Sequence, residues 1–351
     1  MRTSRYGRIT LWLIGLLLAA APLTAGGEDG TGAAASPEPP KSNSVTKTLG
    51  GMQFWSDELV FRGWRIQQNV LSGHYRLLDD SDHRQVSGTF DECCHKLEEI
   101  KRTRSLPPLK GRAVVTLHGL IRSRDMMAGI GEYLEREGDY TWINVSYAST
   151  RRSLDEHAAA LARVIEHLDG VSQIDFVCHS LGNLVVRRYL GEASAEQPQW
   201  KVDPRVKRMV MLAPPNHGAR FAEYFKDNKL FSLVLGPSGN QLAGQWSEIE
   251  KRLAVPPFEF GIIAGSKKSG RLENPLLQGE GDLVVSVEET RLAGACDFLV
   301  VPLAHGDLMD DPDVRRCVRR FLEEGCFVAA DKRMPIATEE KPAGEEAKAA
   351  P

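Results

Sequence analysis

The sequence lacks the features that mark proteins of nucleic-acid-binding and zinc-binding classes. Its 351 residues carry a formal net charge of −3, and the 44 lysines and arginines are scattered along the chain. A nucleic-acid surface needs a concentrated basic stripe instead. The six cysteines and nine histidines do not show the spacing of a zinc site. We therefore expect no nucleic-acid partner and no metal.

The chain also lacks an apolar run near its N-terminus that is long enough to span a bilayer. Leu11 to Ala21 is apolar, whereas a spanning helix needs about 20 such residues. Three arginines precede this run, and the small residues 24–26 follow it. This pattern predicts a signal peptide over residues 1–25 and export to the periplasm or the medium. An uncleaved anchor is the alternative, and a lipoprotein is not expected because no cysteine lies near the cleavage point.

Length and composition favour one large folded domain. Hydrophobic residues make up 42% of the chain, which leaves ample material for one core and little for a second. We expect a monomer. The predicted order is a signal peptide (1–25), a flexible linker (26–48), an N-terminal hairpin and helix joined to the core sheet (49–109), a catalytic core (110–328) with a lid-like insertion (214–257), and a disordered tail (329–351).

The cysteines leave the disulfide pattern open. An exported protein can form disulfides, but their pairing cannot be deduced from the sequence. The available residues are Cys93, Cys94, Cys296, Cys317 and Cys326.

The most informative segment surrounds Ser180. An apolar run from Ile174 to Val177 ends in a sharp corner, Cys178 to Gly182, and a helix-like pattern begins at once. Such a strand–elbow–helix arrangement exposes a serine hydroxyl as a nucleophile. Small residues usually stand two positions before and after that serine, and here they are Cys178 and Gly182. The alternatives are that Ser180 only caps the helix, or that Cys178 is the nucleophile.

Two further segments supply the other parts of a hydrolase. A β-branched strand ends in His118 and Gly119. Gly119 lets the backbone turn so that the N–H of Leu120 can point into a site. This N–H and that of Leu181, which follows the serine, are the predicted oxyanion hole.

Downstream, Asp282 lies in a Gly-rich turn and His305 follows the last predicted strand. The order Ser180, Asp282, His305 is typical of α/β-hydrolases. Glu280 is the rival acid.

Residues from about 110 to 325 resemble the lipase and esterase branch of the α/β-hydrolase superfamily. The matching motifs are His118 to Leu120, His179 to Gly182, and the late acid and histidine. The phrase Ala213 to Gly218 is similar to one found in bacterial triacylglycerol lipases and inositol-deacylase-like lipases. The departures are Cys178 and Asn183, where glycines are frequent.

The alternation of strands and helices predicts a doubly wound, mostly parallel α/β sheet. In such a sheet the carboxyl ends of the strands meet at one edge, where ligands bind. Strand-like stretches at 59–66 and 74–78 predict an antiparallel hairpin at the edge of that sheet. Residues 153–156 predict a capping box at the start of a helix.

Together these motifs predict a serine hydrolase that cleaves carboxylic esters without a cofactor. An apolar and aromatic run at 221–235 is either core or an acyl-chain wall, with Phe221, Phe225 and Phe231 as candidate substrate-binding residues. The second interpretation favours a lipid-like ester and transient contact with a lipid surface. An acyltransferase or amidase on the same fold, or a non-catalytic binding module, remains an alternative.

Overall fold

In the computed structural model, the described residues are 51, 53–218, 229–266 and 280–338. The chain divides into two units, residues 1–45 and 46–351, and every described residue lies in the second. The predicted signal peptide and linker therefore fall outside the described residues. Within the described ranges, no helix is long and apolar enough to cross a membrane.

Ten strands form two sheets among the described residues. The N-terminal sheet is antiparallel, and its strands are β1 (Trp55–Phe61), β2 (Trp64–Asn69), β3 (Tyr75–Leu78) and β4 (Arg84–Gly88). The main sheet is parallel, and its strands are β5 (Gly111–Leu117), β6 (Tyr140–Val145), β7 (Val171–His179), β8 (Val206–Leu212), β9 (Glu259–Gly265) and β10 (Asp297–Val301).

The helices follow the strands in alternation through the main sheet. They are α1 (Phe90–Thr103), α2 (Ala128–Gly138), α3 (Leu154–Glu166), α4 (Leu181–Gly191), α5 (Lys229–Gly244), α6 (Trp246–Glu250), α7 (Val287–Thr290) and α8 (Pro312–Glu324), with short 3₁₀ turns at Arg124–Met127, Glu192–Ser194 and Ala330–Lys332.

The predicted antiparallel N-terminal hairpin is confirmed, since β2 and β3 pair antiparallel and the Asp57 amide of β1 donates to Ser146 O just after β6. The structure differs from the prediction in two respects. The four antiparallel strands form a sheet of their own. In addition, the stretch predicted as one strand, 59–66, turns back at Arg62 and Gly63, which have φ values of 48° and 84°. Two positive φ values in succession are what a tight hairpin turn requires. Apolar side chains on both sides of this turn are buried, so the hydrophobic pattern continues through it.

The main sheet buries a hydrophobic core on each face. Its strand order is β10-β9-β8-β7-β5-β6. Side chains alternate between the two faces, so that in β8 Met209 and Met211 join the core beside α3 and α4, whereas Val210 and Leu212 join the core beside α2 and α8. The α/β architecture with a parallel sheet is therefore confirmed.

Capping boxes fix the starts of several helices. The box predicted at Ser153 is present, because its side chain accepts a hydrogen bond from the Glu156 amide and Glu156 accepts one from the Ser153 amide. Thr89 and Glu92 cap α1 in the same way. Each cap satisfies amide groups that the first helical turn leaves without partners.

Within the predicted lid-like insertion, residues 229–250 form α5 and α6, and α5 is attached to the body. Helix α5 is interrupted at Gly236 and Pro237. Just beyond the break, Ser238 Oγ donates to Arg152 O at 2.8 Å, and Gln241 Oε1 accepts from Leu154 N at 2.9 Å. These bonds hold α5 against the start of α3.

The first part of the predicted disordered tail is ordered. The Ile336 amide donates to Ala295 O at 2.9 Å, and Ile336 O accepts from Gly294 N at the same distance. The Met334 amide donates to the buried carboxylate of Asp297. These contacts attach residues 329–338 to the core, although their composition is that of a linker. Residues 339–351 lie outside the described residues.

A buried histidine on α3 gives a testable pH dependence of stability. Neither ring nitrogen of His157 bonds to a described residue, and burial lowers its pKa to about 3. In the unfolded chain a histidine binds a proton below about pH 6.5. Between these values the unfolded state holds the extra proton, so the free energy of unfolding falls on acidification by up to about 1.4 kcal/mol per pH unit.

We expect His157→Leu to flatten this acid dependence. Urea denaturation of the wild type and the variant at pH 7, 6 and 5 measures the two slopes. His95→Leu, at an exposed position on α1, is the matched control and should keep the wild-type slope. Parallel curves for His157→Leu and the wild type would show that the buried imidazole does not contribute.

Candidate active site

The site lies where neighbouring strands of the main sheet connect in opposite directions. Strand β5 lies between β6 and β7. The chain leaves β5 towards β6 on one side, whereas it leaves β7 towards β8 on the other. The loops after β5 and β7 therefore diverge and open a crevice at the carboxyl ends of the strands, as in other doubly wound sheets.

Ser180 occupies the turn between β7 and α4 in a strained conformation. Its φ and ψ are 52° and −120°, a region that L-residues adopt at a cost of about 1–3 kcal/mol. Although Ser180 stands at the N-cap position, its side chain makes no capping hydrogen bond. This argues against the interpretation of Ser180 as a plain helix cap, and the strain is typical of a nucleophile elbow.

Gly182 permits the close approach of helix and strand that the elbow needs. A Cβ at this position would lie 2.7 Å from Leu117 O and 2.9 Å from His118 O. Both contacts are with backbone atoms, which cannot rotate away. This close backbone approach explains why the sequence motif has a small residue at position 182.

We expect Gly182→Ala to lower the free energy of unfolding by about 1–3 kcal/mol, the usual cost of overpacking, and to lower activity by displacing the elbow. Gly244→Ala is the matched control, because a Cβ there would meet no atom within 4 Å. Urea denaturation of both variants measures the difference. Equal stability of the two alanine variants would contradict this description of the elbow.

Asp282 and His305 form a direct pair. His305 Nδ1 lies 2.7 Å from Asp282 Oδ2, and the His305 amide donates to Asp282 O at 3.0 Å. The other carboxylate oxygen, Oδ1, accepts from the amides of Val284 and Val285 at 3.0 and 2.8 Å. Asp282 is fully buried, so its carboxylate is held in one orientation towards the imidazole.

Glu280, the rival acid, is engaged elsewhere. Its Oε1 accepts a hydrogen bond from Ser266 Oγ, and the residue is exposed. Its position two residues before Asp282 made the two acids hard to separate by sequence. The geometry favours Asp282 as the partner of His305.

The elbow and the His305 loop meet through His179. His179 Nε2 lies 2.9 Å from His305 O, and the two ring centroids are 4.5 Å apart. Burial, and secondly the nearby His305, hold the pKa of His179 well below its usual value, so a neutral His179 donates this bond. Ser180 follows His179 directly, which brings the serine to the side of the crevice where His305 lies. No hydrogen bond joins the Ser180 and His305 side chains; such bonds are often loose in an enzyme without substrate.

The predicted oxyanion amides flank Ser180. Gly119 is so close that a Cβ on it would lie 3.1 Å from Ser180 Cβ. The amide of Leu120 follows on the β5 loop, and the amide of Leu181 is the first of α4. Neither amide hydrogen-bonds to another described residue, and the first amides of a helix have no partner within it. They are therefore free to bind a developing negative charge.

The cysteines are unpaired in this structure. All six are free thiols. Cys178 is fully buried, and burial raises the pKa of its thiol well above the usual value. A nucleophilic cysteine needs the opposite, a lowered pKa and partial exposure, so the alternative of a Cys178 nucleophile is disfavoured.

Across the described ranges, no group of side chains is arranged to hold a metal ion.

The candidate acyl-chain residues cannot be placed beside the elbow. Phe221 and Phe225 lie outside the described residues, and only the backbone of Phe231 is described, in α5.

A cavity of about 450 Å³ between the N-terminal sheet and β6 is lined by polar and charged groups, among them Arg65, Arg124 and Asp80. None of the candidate catalytic residues lines this cavity, so it is not the crevice at the elbow.

Comparisons with known proteins bear on the fold. Residues 95–244 match a family described as a domain of unknown function (DUF7379), and no match was found among curated proteins. A lipase from Bacillus licheniformis in its propeptide form superposes with a TM-score of 0.50 at 18% identity, covering 68% of this chain and 54% of that chain. The fold is that of an α/β-hydrolase.

Two further solved structures match over a smaller part of this chain and with lower scores. The mature form of the same lipase is 18% identical, with a TM-score of 0.46 over 60% of this chain and 90% of that one. The phospholipase PlaB from Legionella pneumophila is 18% identical, with a TM-score of 0.40 over 52% of this chain and 45% of that one. The resemblance predicted from the motifs is confirmed for the fold by the match to the propeptide form.

One charged residue beside the candidate site has no counterpart among the sequence predictions. Arg122 follows the oxyanion loop by two residues, and its guanidinium lies beside Gly306, next to His305. Arginines are numerous in this chain, so no composition or motif distinguishes it. Its short distance from Leu120 along the sequence is the one signal that could have found it.

Proposed function

We propose that this protein is a serine hydrolase that cleaves carboxylic esters through an acyl-enzyme. The observation that carries the proposal is the buried Asp282–His305 pair, 2.7 Å apart, on the loop that contacts the strained elbow of Ser180. A non-catalytic module would have no need of a buried carboxylate oriented on a histidine beside an uncapped serine. The Bacillus licheniformis lipase that shares the fold supports the same reaction class.

In the proposed mechanism, Ser180 Oγ attacks the ester carbonyl while His305 Nε2 takes its proton. Asp282 accepts the hydrogen bond from His305 Nδ1, fixes the tautomer and stabilises the imidazolium. The amides of Leu120 and Leu181 stabilise the oxyanion, each by about 3–4 kcal/mol in the transition state. His305 then protonates the alcohol as it leaves.

The second half of the reaction returns the enzyme to its starting state. His305 takes a proton from water, the resulting hydroxide adds to the acyl carbonyl, and Ser180 leaves with the proton. The products are a carboxylic acid and an alcohol. No step requires a cofactor. An acyltransferase would differ only here, in using another hydroxyl or amine in place of water.

We further propose a lipid-like substrate met outside the cytoplasm. Its support is the basic and apolar N-terminal sequence together with the aromatic run at 221–235. Burial of each methylene is worth about 0.8 kcal/mol, so an acyl wall makes kcat/KM rise with chain length. An exported monomer that touches a lipid surface transiently is consistent with these features.

A series of p-nitrophenyl esters from acetate to palmitate tests this function on the purified chain. We expect acid release that increases with chain length up to the medium range. A preference for acetate would contradict the lipid-like substrate while leaving the esterase intact. Transfer of the acyl group to an added alcohol or amine in preference to water would favour the acyltransferase.

A further inference from the structure

Arg122 lies between the two loops that carry the oxyanion amide and the candidate catalytic histidine. Its amide donates to Gly119 O at 3.3 Å, closing the turn after β5. Its Nη2 lies 3.9 Å from the point that a Cβ on Gly306 would occupy. Since Gly306 follows His305, the guanidinium stands at the His305 side of the crevice.

The backbone of Arg122 is held in place from the N-terminal segment. Gln53 Nε2 donates to Arg122 O at 3.0 Å. The other end of the same amide, Gln53 Oε1, accepts from Ser149 Oγ at 3.1 Å and from Thr150 N at 3.0 Å. Gln53 itself is buried. The position of Arg122 is therefore set by the fold and does not depend on a free loop.

Within the described residues, the guanidinium of Arg122 has no partner of opposite charge. It forms neither an ion pair nor a hydrogen bond with the described part of the chain, although the residue is half-buried, and burial lowers its pKa. Arg124, two residues further on, is paired with Asp82 at 2.5 Å. A partly desolvated charge without a partner is costly, and such a cost at a candidate active site indicates a ligand.

The position of the guanidinium points to the alcohol half of an ester. His305 must protonate the leaving oxygen, so the alcohol occupies the His305 side of the crevice. A planar guanidinium there can form two charge-assisted hydrogen bonds with a phosphate or a carboxylate. A neutral alcohol would leave it unpaired.

We propose that Arg122 binds an anionic group, a phosphate or a carboxylate, on the alcohol portion of the ester substrate. This inference rests on the proposed hydrolase function and narrows its substrate class to esters of anionic alcohols. Glycerol phosphate esters of fatty acids have this chemistry, as do acyl esters of hydroxy acids.

Matched soluble esters test the proposal on the full chain. The substrates are monooctanoylglycerol, octanoylglycerol 3-phosphate and the octanoyl ester of glyceric acid, used below the concentrations at which they aggregate. The variants are Arg122→Gln, Arg122→Lys and, as a matched control, Arg124→Gln. Urea denaturation of each variant establishes that it is folded, and kcat and KM are measured separately.

We expect the wild type to prefer an anionic ester over the neutral one in kcat/KM. Arg122→Gln should reduce that preference by about 10- to 100-fold, which is the usual value of a charge-assisted hydrogen bond, mainly through KM. Arg122→Lys should keep part of the preference, and Arg124→Gln should keep all of it. Preference for the phosphate ester or for the carboxylate ester identifies which anion the site accepts.

Two outcomes would overturn the proposal, and they are distinguishable. If the wild type and Arg122→Gln cleave the esters with the same preference, Arg122 does not bind the substrate, while the hydrolase function stands. If the folded wild type cleaves none of the three esters and releases no acid from the p-nitrophenyl series, the hydrolase function and the role of Arg122 fail together.

Discussion

Ser180→Ala is expected to lower kcat for carboxylic esters by on the order of 10⁶-fold, since loss of the nucleophile removes the covalent route altogether. The residual rate would come from the oxyanion amides and substrate binding. Stability should change little, because the Ser180 side chain makes no capping bond. Initial rates on an octanoyl ester and urea denaturation measure the two effects.

Ser153→Ala is the matched control for a serine at a helix N-terminus. Ser153 does cap its helix, α3, so its loss should cost about 1 kcal/mol of stability and little activity. The two variants should thus show opposite patterns. If Ser180→Ala retained most of the activity and lost stability like Ser153→Ala, the serine would be a structural cap.

Asp282→Asn is expected to lower turnover by about 10⁴-fold. The amide matches the carboxylate in size, and its oxygen can still accept from the Val284 and Val285 amides. The amide nitrogen then faces His305 Nδ1, and two donors cannot share this bond. The imidazole must adopt the other tautomer, which cannot take the serine proton. Steady-state kinetics on the same ester measures the loss.

Glu280→Gln is the control for this prediction and should leave turnover within a few-fold of the wild type. Its carboxylate accepts from Ser266 Oγ, and an amide oxygen can accept the same bond. The reverse pattern, in which Glu280→Gln is inactive and Asp282→Asn is active, would move the acid by two residues.

Much of the main sheet and its edge could be predicted because local chemistry and tertiary structure agree there. The strand before Ser180 carries buried apolar residues on both faces, among them Ile174, Phe176 and Val177, as a strand covered on both sides of a parallel sheet does. Gly182 permits a close backbone approach, and Ser153 with Glu156 forms the predicted cap. The parallel sheet then brings residues far apart in sequence to one edge, so chain order alone placed Asp282 with His305.

Other parts of the fold depended on contacts that leave no local pattern. The turn at Arg62 and Gly63 interrupts a run whose side chains are buried on both sides, so periodicity could not reveal it. Residues 329–338 have the composition of a tail, yet Ile336 is hydrogen-bonded to Ala295. Arg122 became noticeable only when the fold placed it beside Gly306 with no acidic partner among the described residues.

The proposed function depends most directly on whether Ser180 is an activated nucleophile. Incubation of the folded chain with a fluorophosphonate, followed by intact and peptide mass spectrometry, tests this in one measurement. We predict a single adduct on Ser180 that forms together with loss of ester hydrolysis and is much slower in Asp282→Asn. An adduct on another residue would contradict the proposed function. So would ester hydrolysis that continues after treatment with excess fluorophosphonate while the protein carries no adduct.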